Sequence, residues 1–173
     1  TPRIASTLLL LHEKETEINF TLIKRPNYDG THGGQISFPG GKLEENETIK
    51  EAAIRETEEE IGILKQDINI LGELTQVYIP PSNFLITPFI GFIDSTPIYQ
   101  PDSREVEKII DVSLSQLLDE RLVKTKKIAM SKHGKNKLYI DAPYFELENQ
   151  VVWGATALVL SEFKDILKKI ISV

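Results

Sequence analysis

Cysteine is absent from all 173 residues, so disulfides, thiolate metal sites and cysteine nucleophiles are excluded, and a reducing, cytoplasmic setting is the natural expectation. Long apolar runs are also missing. The longest, Leu8 to Leu11, falls far short of the roughly 20 residues that a membrane-spanning helix needs. No membrane association is therefore expected, and no signal peptide is evident. Repeats, low-complexity tracts and Pro/Ser-rich linkers are lacking too, which favours a single domain over residues 1–173. Positive charge is in deficit: 20 Lys and Arg stand against 26 Asp and Glu, a net charge of −6. Such a surface disfavours a broad nucleic-acid footprint. It still suits anionic substrates if divalent cations sit at the site. The first residue is Thr1 rather than methionine, so an N-terminal element is expected to precede it.

What is present reads as an α/β mixture. Ile4 to Leu11 and Ile18 to Lys24 have the β-branched and leucine content of strands, with a turn over Glu13 to Glu17. A glycine-rich loop follows (Gly30, Gly33, Gly34), then Gln35 to Phe38 and the breaker Pro39-Gly40-Gly41. A helix is expected from about Thr48 to Ile61, with Gly62 as its C-terminal cap. Glu73 to Ile79 and Leu85 to Ile93 read as strands around Pro80-Pro81-Ser82-Asn83. Val106 to Val112 reads as another strand, with a short helix over Leu114 to Asp119. Lys124 to Met130 and Lys137 to Ile140 read as a hairpin around His133-Gly134. Thr156 to Ile171 has helical periodicity, with Leu158, Phe163, Ile166, Leu167 and Ile170 on one side. Strands and helices do not alternate regularly, which argues for a mixed sheet with helices packed on it.

The informative stretch is GGKLEENETIKEAAIRETEEEIGI, Gly40 to Ile63. At about 100° per residue, Ile49, Ala53, Thr57, Ile61 and Ile54 share an arc of about 140° that should face the core. Glu56, Glu59 and Glu60 fall in an adjoining arc of about 100°. Glu51 and Glu58 point elsewhere, towards water. Like charges at i, i+3 and i+4 cost a few tenths of a kcal/mol per pair. Negative charge in the last turn also opposes the helix dipole. Two local rules broken together mark a candidate functional site, and carboxylate oxygens suit a hard cation such as Mg²⁺ or Mn²⁺. A solvated acidic face is the plainer reading, and Arg55 would then simply pair with Glu51 or Glu59. Its alternative role is to hold those glutamates in place. From the residues alone the two readings stand about level.

The stretch resembles the Nudix box, G-x5-E-x7-R-E-U-x-E-E-x-G-U, where U is a bulky apolar residue. Gly41, Glu47, Arg55, Glu56, Glu59, Glu60, Gly62 and Ile63 fall in register, and Thr57 departs at the first U. The resemblance favours the cation site and implies a Nudix fold: an α/β/α sandwich with a mixed β-sheet between the Nudix helix and the C-terminal helix. It implies a metal-dependent pyrophosphohydrolase with Glu56 and Glu60 as metal ligands. Glu59 would be a further ligand or a water-orienting carboxylate, and a backbone carbonyl of Gly40 or Gly41 would complete the site. No serine or histidine nucleophile is required, and His12, His32 and His133 are too scattered to form a triad. The general base is expected among carboxylates: Glu59, or Glu105 on a loop.

The flanks resemble the coenzyme A pyrophosphatase branch, which reads roughly L-x-x-R-x-x-x-L-R-x-H-x-G-x-x-x-F-P-G-G. Arg25, His32, Gly34, Phe38, Pro39, Gly40 and Gly41 are in register. LITPFIGFID (Leu85 to Asp94), Glu105-Val106 and VVWGATA (Val151 to Ala157) extend the likeness. It implies a small-molecule substrate, coenzyme A or a derivative, cut to 3′,5′-ADP and a 4′-phosphopantetheine product. Arg25, His32, Gly34, Gln35 and Phe38 would lie on the substrate side, and a homodimer is allowed. Asp29-Gly30 replaces the pattern's Leu-Arg, which removes one phosphate contact. The basic stretch Lys124, Lys126, Lys127, Lys132, His133, Lys135 and Lys137 is either a solvated hairpin or a grip for the 3′-phosphate.

Overall fold

The computed structural model describes residues 1–27, 33–129 and 139–172. Strand β1, Arg3–Lys14, turns tightly through Glu15, whose φ is 59°, into antiparallel β2, Glu17–Lys24. The turn is tighter than the five residues expected. Short β3 (Ile36–Ser37) pairs with β2, and β4 (Gly40–Lys42) pairs with β1. Helix α1, Ile49–Ile61, leads to β5 (Asn69–Glu73), β6 (Val77–Ile79) and β7 (Phe84–Phe92). Strand β7 runs parallel to β1, from Arg3↔Phe84 to Leu11↔Phe92, and β5 and β6 pair antiparallel with it. Strand β8, Lys108–Ser113, joins β2, giving a mixed sheet whose main path is β3-β2-β1-β7-β5.

Both faces of that sheet are covered, which is why Leu8 to Leu11 is continuously apolar rather than alternating. Leu8 and Leu10 pack with Ile23, Ala53, Ile61 and Phe89 beneath α1. Leu9 faces the other way, with Phe20, Leu22, Phe145, Leu160 and Phe163, beneath α2 (Leu114–Leu118) and α3 (Gly154–Ile171). The sandwich of a mixed sheet between the Nudix-like helix and the C-terminal helix is thus present.

Several elements differ from expectation. The strands expected on either side of His133-Gly134 do pair antiparallel, but in a separate sheet of β9 (Val123–Ala129), β10 (Tyr139–Leu147) and β11 (Gln150–Val152); residues 130–138 lie outside the described residues. The anticipated strand Glu73 to Ile79 is broken, because Leu74 turns into the α3-side core and donates its N–H to Pro88 O at 2.8 Å. Val106 precedes β8: it is buried against α1 and closes a turn on Asp102 O. On α3, Leu158 and Ile170 are exposed, because the helix buries Thr156, Ala157, Leu160 and Phe163 instead.

One polar cluster lies inside the sheet. Asp111 on β8 sits opposite Thr21 on β2. Its Oδ1 accepts from the Tyr99 hydroxyl at 2.5 Å and pairs with His12 Nε2 at 3.1 Å, while Lys14 Nζ reaches Oδ2 at 3.1 Å. Burial pushes the Asp111 carboxyl up, but the hydrogen bonds from His12, Tyr99 and Lys14 outweigh it and hold the group at about 2. A carboxyl depressed in the folded state stabilises the fold above its unfolded value, and that contribution fades as pH falls through the folded one. Asp111→Asn should therefore cost about 2 kcal/mol at neutral pH. Denaturant titrations between pH 4 and 2 should show the wild type losing stability more steeply than the variant; parallel curves would count against this account.

Candidate active site

Helix α1 begins with a reciprocal cap. Thr48 Oγ1 accepts the Glu51 N–H at 3.2 Å, and the Glu51 carboxylate accepts the Thr48 N–H at 2.7 Å. Glu51 is thereby committed to the helix start and is not the partner of Arg55. Thr57, polar at a core position, is accommodated because its hydroxyl donates to Ala53 O at 2.7 Å.

Arg55 uses all five of its N–H donors. Nε and Nη2 grip the Glu47 carboxylate as a fork at 3.0 and 2.9 Å, and Nη2 also reaches Lys42 O at 3.0 Å. Nη1 donates to Glu56 Oε1 at 2.9 Å and to Glu59 Oε2 at 3.1 Å. The hydrogen bonds from Arg55 hold the Glu47 carboxyl below its ordinary range. One guanidinium thus ties the loop before α1 to the acidic face of the helix.

Glu60 is buried, with 1% of its surface exposed. Its Oε2 accepts the Gly40 N–H at 2.8 Å, and its Oε1 accepts from Arg25 Nη2 at 3.2 Å. The same Arg25 nitrogen donates to Gly40 O at 3.2 Å. Burial pushes the Glu60 carboxyl up to about 7, against the opposing pull of Arg25 and the Gly40 amide, with Glu56 and Glu105 adding to the rise. Glu56 is also raised, by burial first, with Arg55 opposing and the charges of Glu59 and Glu105 adding to it. Gly41 lies flat beneath it: a β-carbon there would stand 2.3 Å from Glu56 Cδ.

Arg25, Gly40, Glu56, Glu60 and, through its charge, Glu105 are brought together. Glu59 sits at the exposed edge of the same helix face, 58% exposed, on one Arg55 contact. Gly34 (φ 72°) donates to Pro26 O, and Arg25 N–H donates to Gln35 O at 3.0 Å. These contacts join Arg25-Pro26 to Gly34-Gln35; residues 28–32, with His32 and Asp29-Gly30, lie outside the described residues. Phe38 is not brought to the site surface; it is 2% exposed in the α3-side core. Lys124 pairs with Glu146, Lys127 lies 3.6 Å from Asp141, and Lys126 lies over the Tyr144 ring. Lys132, His133, Lys135 and Lys137 lie outside the described residues.

Glu105 was expected on a loop, but the docking of that segment, Tyr99 to Glu107, as a strap on α1 was not. Gln100 N–H donates to Ile61 O at 2.9 Å and Asp102 N–H to Glu60 O at 3.0 Å. Backbone groups make these contacts, so no residue pattern announces them.

Five carboxylates (Glu47, Glu56, Glu59, Glu60, Glu105) share this region with two guanidiniums (Arg25, Arg55). As they stand, no three acidic or histidine side chains among the described residues converge to hold a metal ion. The all-oxygen donor set and the surplus of negative charge nevertheless fit a hard divalent cation.

A family model described as NUDIX domain matches residues 1–132. The chain belongs to the Nudix family. "Nudix hydrolase 3" of Caenorhabditis elegans is 26% identical over 175 residues, covering 91% of this chain and 70% of that protein. "Uncharacterized Nudix hydrolase NudL" of Yersinia enterocolitica is 29% identical over 145 residues, covering 83% and 71%. The crystal structure of a C. elegans Ap4A hydrolase binary complex superposes with a TM-score of 0.57 at 18% identity, covering 67% of this chain and 83% of that one. Nudix hydrolases are pyrophosphohydrolases and generally use divalent metal ions. Among the described residues, no helix of this Nudix chain is long and apolar enough to cross a membrane.

Proposed function

We propose that this chain hydrolyses the pyrophosphate linkage of coenzyme A or its acyl derivatives, releasing 3′,5′-ADP and 4′-phosphopantetheine. One observation carries the chemistry: two carboxylates one helical turn apart, Glu56 and Glu60, are drawn out of water against the Gly40-Gly41 backbone. Glu56, Glu60 and the Gly40 carbonyl would hold Mg²⁺ or Mn²⁺, with Glu59 at the margin. Such an ion neutralises charge on phosphate oxygens and lowers the pKa of an attacking water. Arg55 keeps the acidic face aligned, and Arg25 fixes Glu60 and the Gly40 carbonyl together. Glu105 or Glu59 accepts the proton of the attacking water.

The coenzyme A assignment rests on the flanking segments, Arg25 to Gly41 above all. Gly34 and Gln35, together with His32, would face the substrate. A second reading, another nucleoside diphosphate derivative such as ADP-ribose or NADH, is favoured by Asp29-Gly30, where the branch pattern carries Leu-Arg. Product analysis after incubation with Mg²⁺ and coenzyme A, ADP-ribose or NADH separates them. Release of 3′,5′-ADP from coenzyme A as the fastest reaction is expected. Faster cleavage of ADP-ribose or NADH would keep the chemistry and discard the coenzyme A assignment.

A further inference from the structure

The segment from Tyr99 to Glu107 has no regular structure, yet it is fixed at several points. Two of its amide donors, at Gln100 and Asp102, fall on Ile61 O and Glu60 O, carbonyls that the end of α1 leaves without helical partners. Gly62, in the left-handed region at φ 75°, lets the strap approach; a β-carbon there would lie 2.6 Å from Gln100 Cβ. Asp102 O then accepts both the Glu105 and the Val106 N–H, at 3.0 and 2.8 Å. Val106 is buried against α1, and Glu107 N–H closes on Lys24 O at 2.8 Å. Glu105 is carried on the turn between Asp102 and Val106, whose first residue is bonded to the Glu60 carbonyl, and its charge acts on both Glu56 and Glu60.

The anchor at the start of the strap is a side chain. The Tyr99 ring packs on the α1-side core. Its hydroxyl donates to Asp111 Oδ1 and lies 2.9 Å from Thr21 Oγ1 and 3.2 Å from His12 Nε2. Those partners sit on β8, β2 and β1. A phenol held by three strands gives the strap a fixed origin, and the two amide contacts with α1 fix its direction.

We infer that Tyr99 is a positioning residue which, through the strap, sets the placement of Glu105 against the Glu56–Glu60 pair. This rests on the reading of Glu105 as a proton acceptor in pyrophosphate hydrolysis. Tyr99 touches no substrate in this scheme.

The test is a double-mutant cycle on the full chain with Mg²⁺ and whichever diphosphate the wild type cleaves fastest. Tyr99→Phe keeps the ring and removes the anchor. It should lower kcat about 10-fold with KM nearly unchanged, as expected when an interaction made in the transition state is weakened. In a Glu105→Gln background the same change should have little further effect. An equal loss in both backgrounds would overturn the inference, as would wild-type kcat in Tyr99→Phe. Amide hydrogen exchange supplies a readout independent of substrate: exchange at Gln100 and Asp102 should quicken in Tyr99→Phe, and unchanged exchange there overturns the anchor. If no diphosphate is cleaved by the wild type, the functional reading fails and the inference about Glu105 falls with it, whatever the exchange data show. If Tyr99→Phe does not fold, Gly62→Ala displaces the strap from its other side and should give the same kcat loss and the same dependence on Glu105.

Discussion

Glu60→Gln is expected to lower turnover about 100-fold or more, the loss of roughly 3 kcal/mol of transition-state stabilisation. Stability should be kept or raised, because relief of the buried charge outweighs the lost contact with Arg25. Removing the charge relieves a buried carboxylate that burial pushes up to about 7. It also dissolves the 3.2 Å contact with Arg25, while the amide oxygen can still accept the Gly40 N–H. The pH dependence has a definite sign. A carboxyl raised in the folded state penalises that state as pH climbs from the ordinary glutamate range to the folded value. In metal-free protein kept in chelator, Glu60→Gln should therefore gain on the wild type between pH about 4.5 and 7, and the difference should stay flat above that. Initial rates and thermal melts across this range check both halves. Retained turnover would remove Glu60 from the metal-holding set, and a large loss of stability would make it a structural residue.

Two adjacent glycines should fail in opposite ways. A β-carbon at Gly40 would stand 2.2 Å from Ser6 O and 2.6 Å from Thr7 Cα, at a φ of 153°. Those atoms belong to the backbone of the central strand and cannot yield without lifting β4 from β1. Gly40→Ala should cost about 3–5 kcal/mol, read as a fall in the denaturant midpoint. At Gly41 the obstructing atoms are all in the Glu56 carboxylate, the far end of a flexible side chain. Gly41→Ala should stay within about 1 kcal/mol of the wild type while turnover drops about 100-fold, since a shift of about 1 Å in a positioned group is enough for that. Near-normal turnover in Gly41→Ala would show that the placement of Glu56 is unimportant; near-normal stability in Gly40→Ala would show that β4 adapts.

The acidic helix face was legible in the sequence because one helix carries it, and helical spacing converts directly into geometry. Thr48, Gly62, Glu56 and Glu60 all follow from local rules. Contacts across the fold were not legible. Arg25 meets Glu60 at 35 residues' separation, and the strap meets α1 through backbone amides that any residue supplies. The wheel offered Glu51 or Glu59 to Arg55; the tightest grip is on Glu47, in the loop before the helix, where helical spacing says nothing. Missed strands have equally local causes. Strand β5 reads NILGE, with a glycine, an asparagine and mostly exposed positions, so no alternation marks it. Strand β11 follows a turn at Glu148-Asn149, both at positive φ (49° and 58°). The common hairpin signals place glycine at one of those positions.

The parallel pairing of β1 with β7 also governs how the molecule comes into being. Arg3 and Phe84, the first partners in that register, are 81 positions apart. At about 5–20 residues per second of synthesis, β1 waits roughly 4–16 s for its neighbour to be made. Throughout that interval the apolar run Leu8 to Leu11 has only β2 and the short β3 and β4 as partly built company. Closing so distant a pairing is slow and exposes strand edges to aggregation. Nascent chains stalled before Phe84 are therefore the form of this protein most in need of a chaperone.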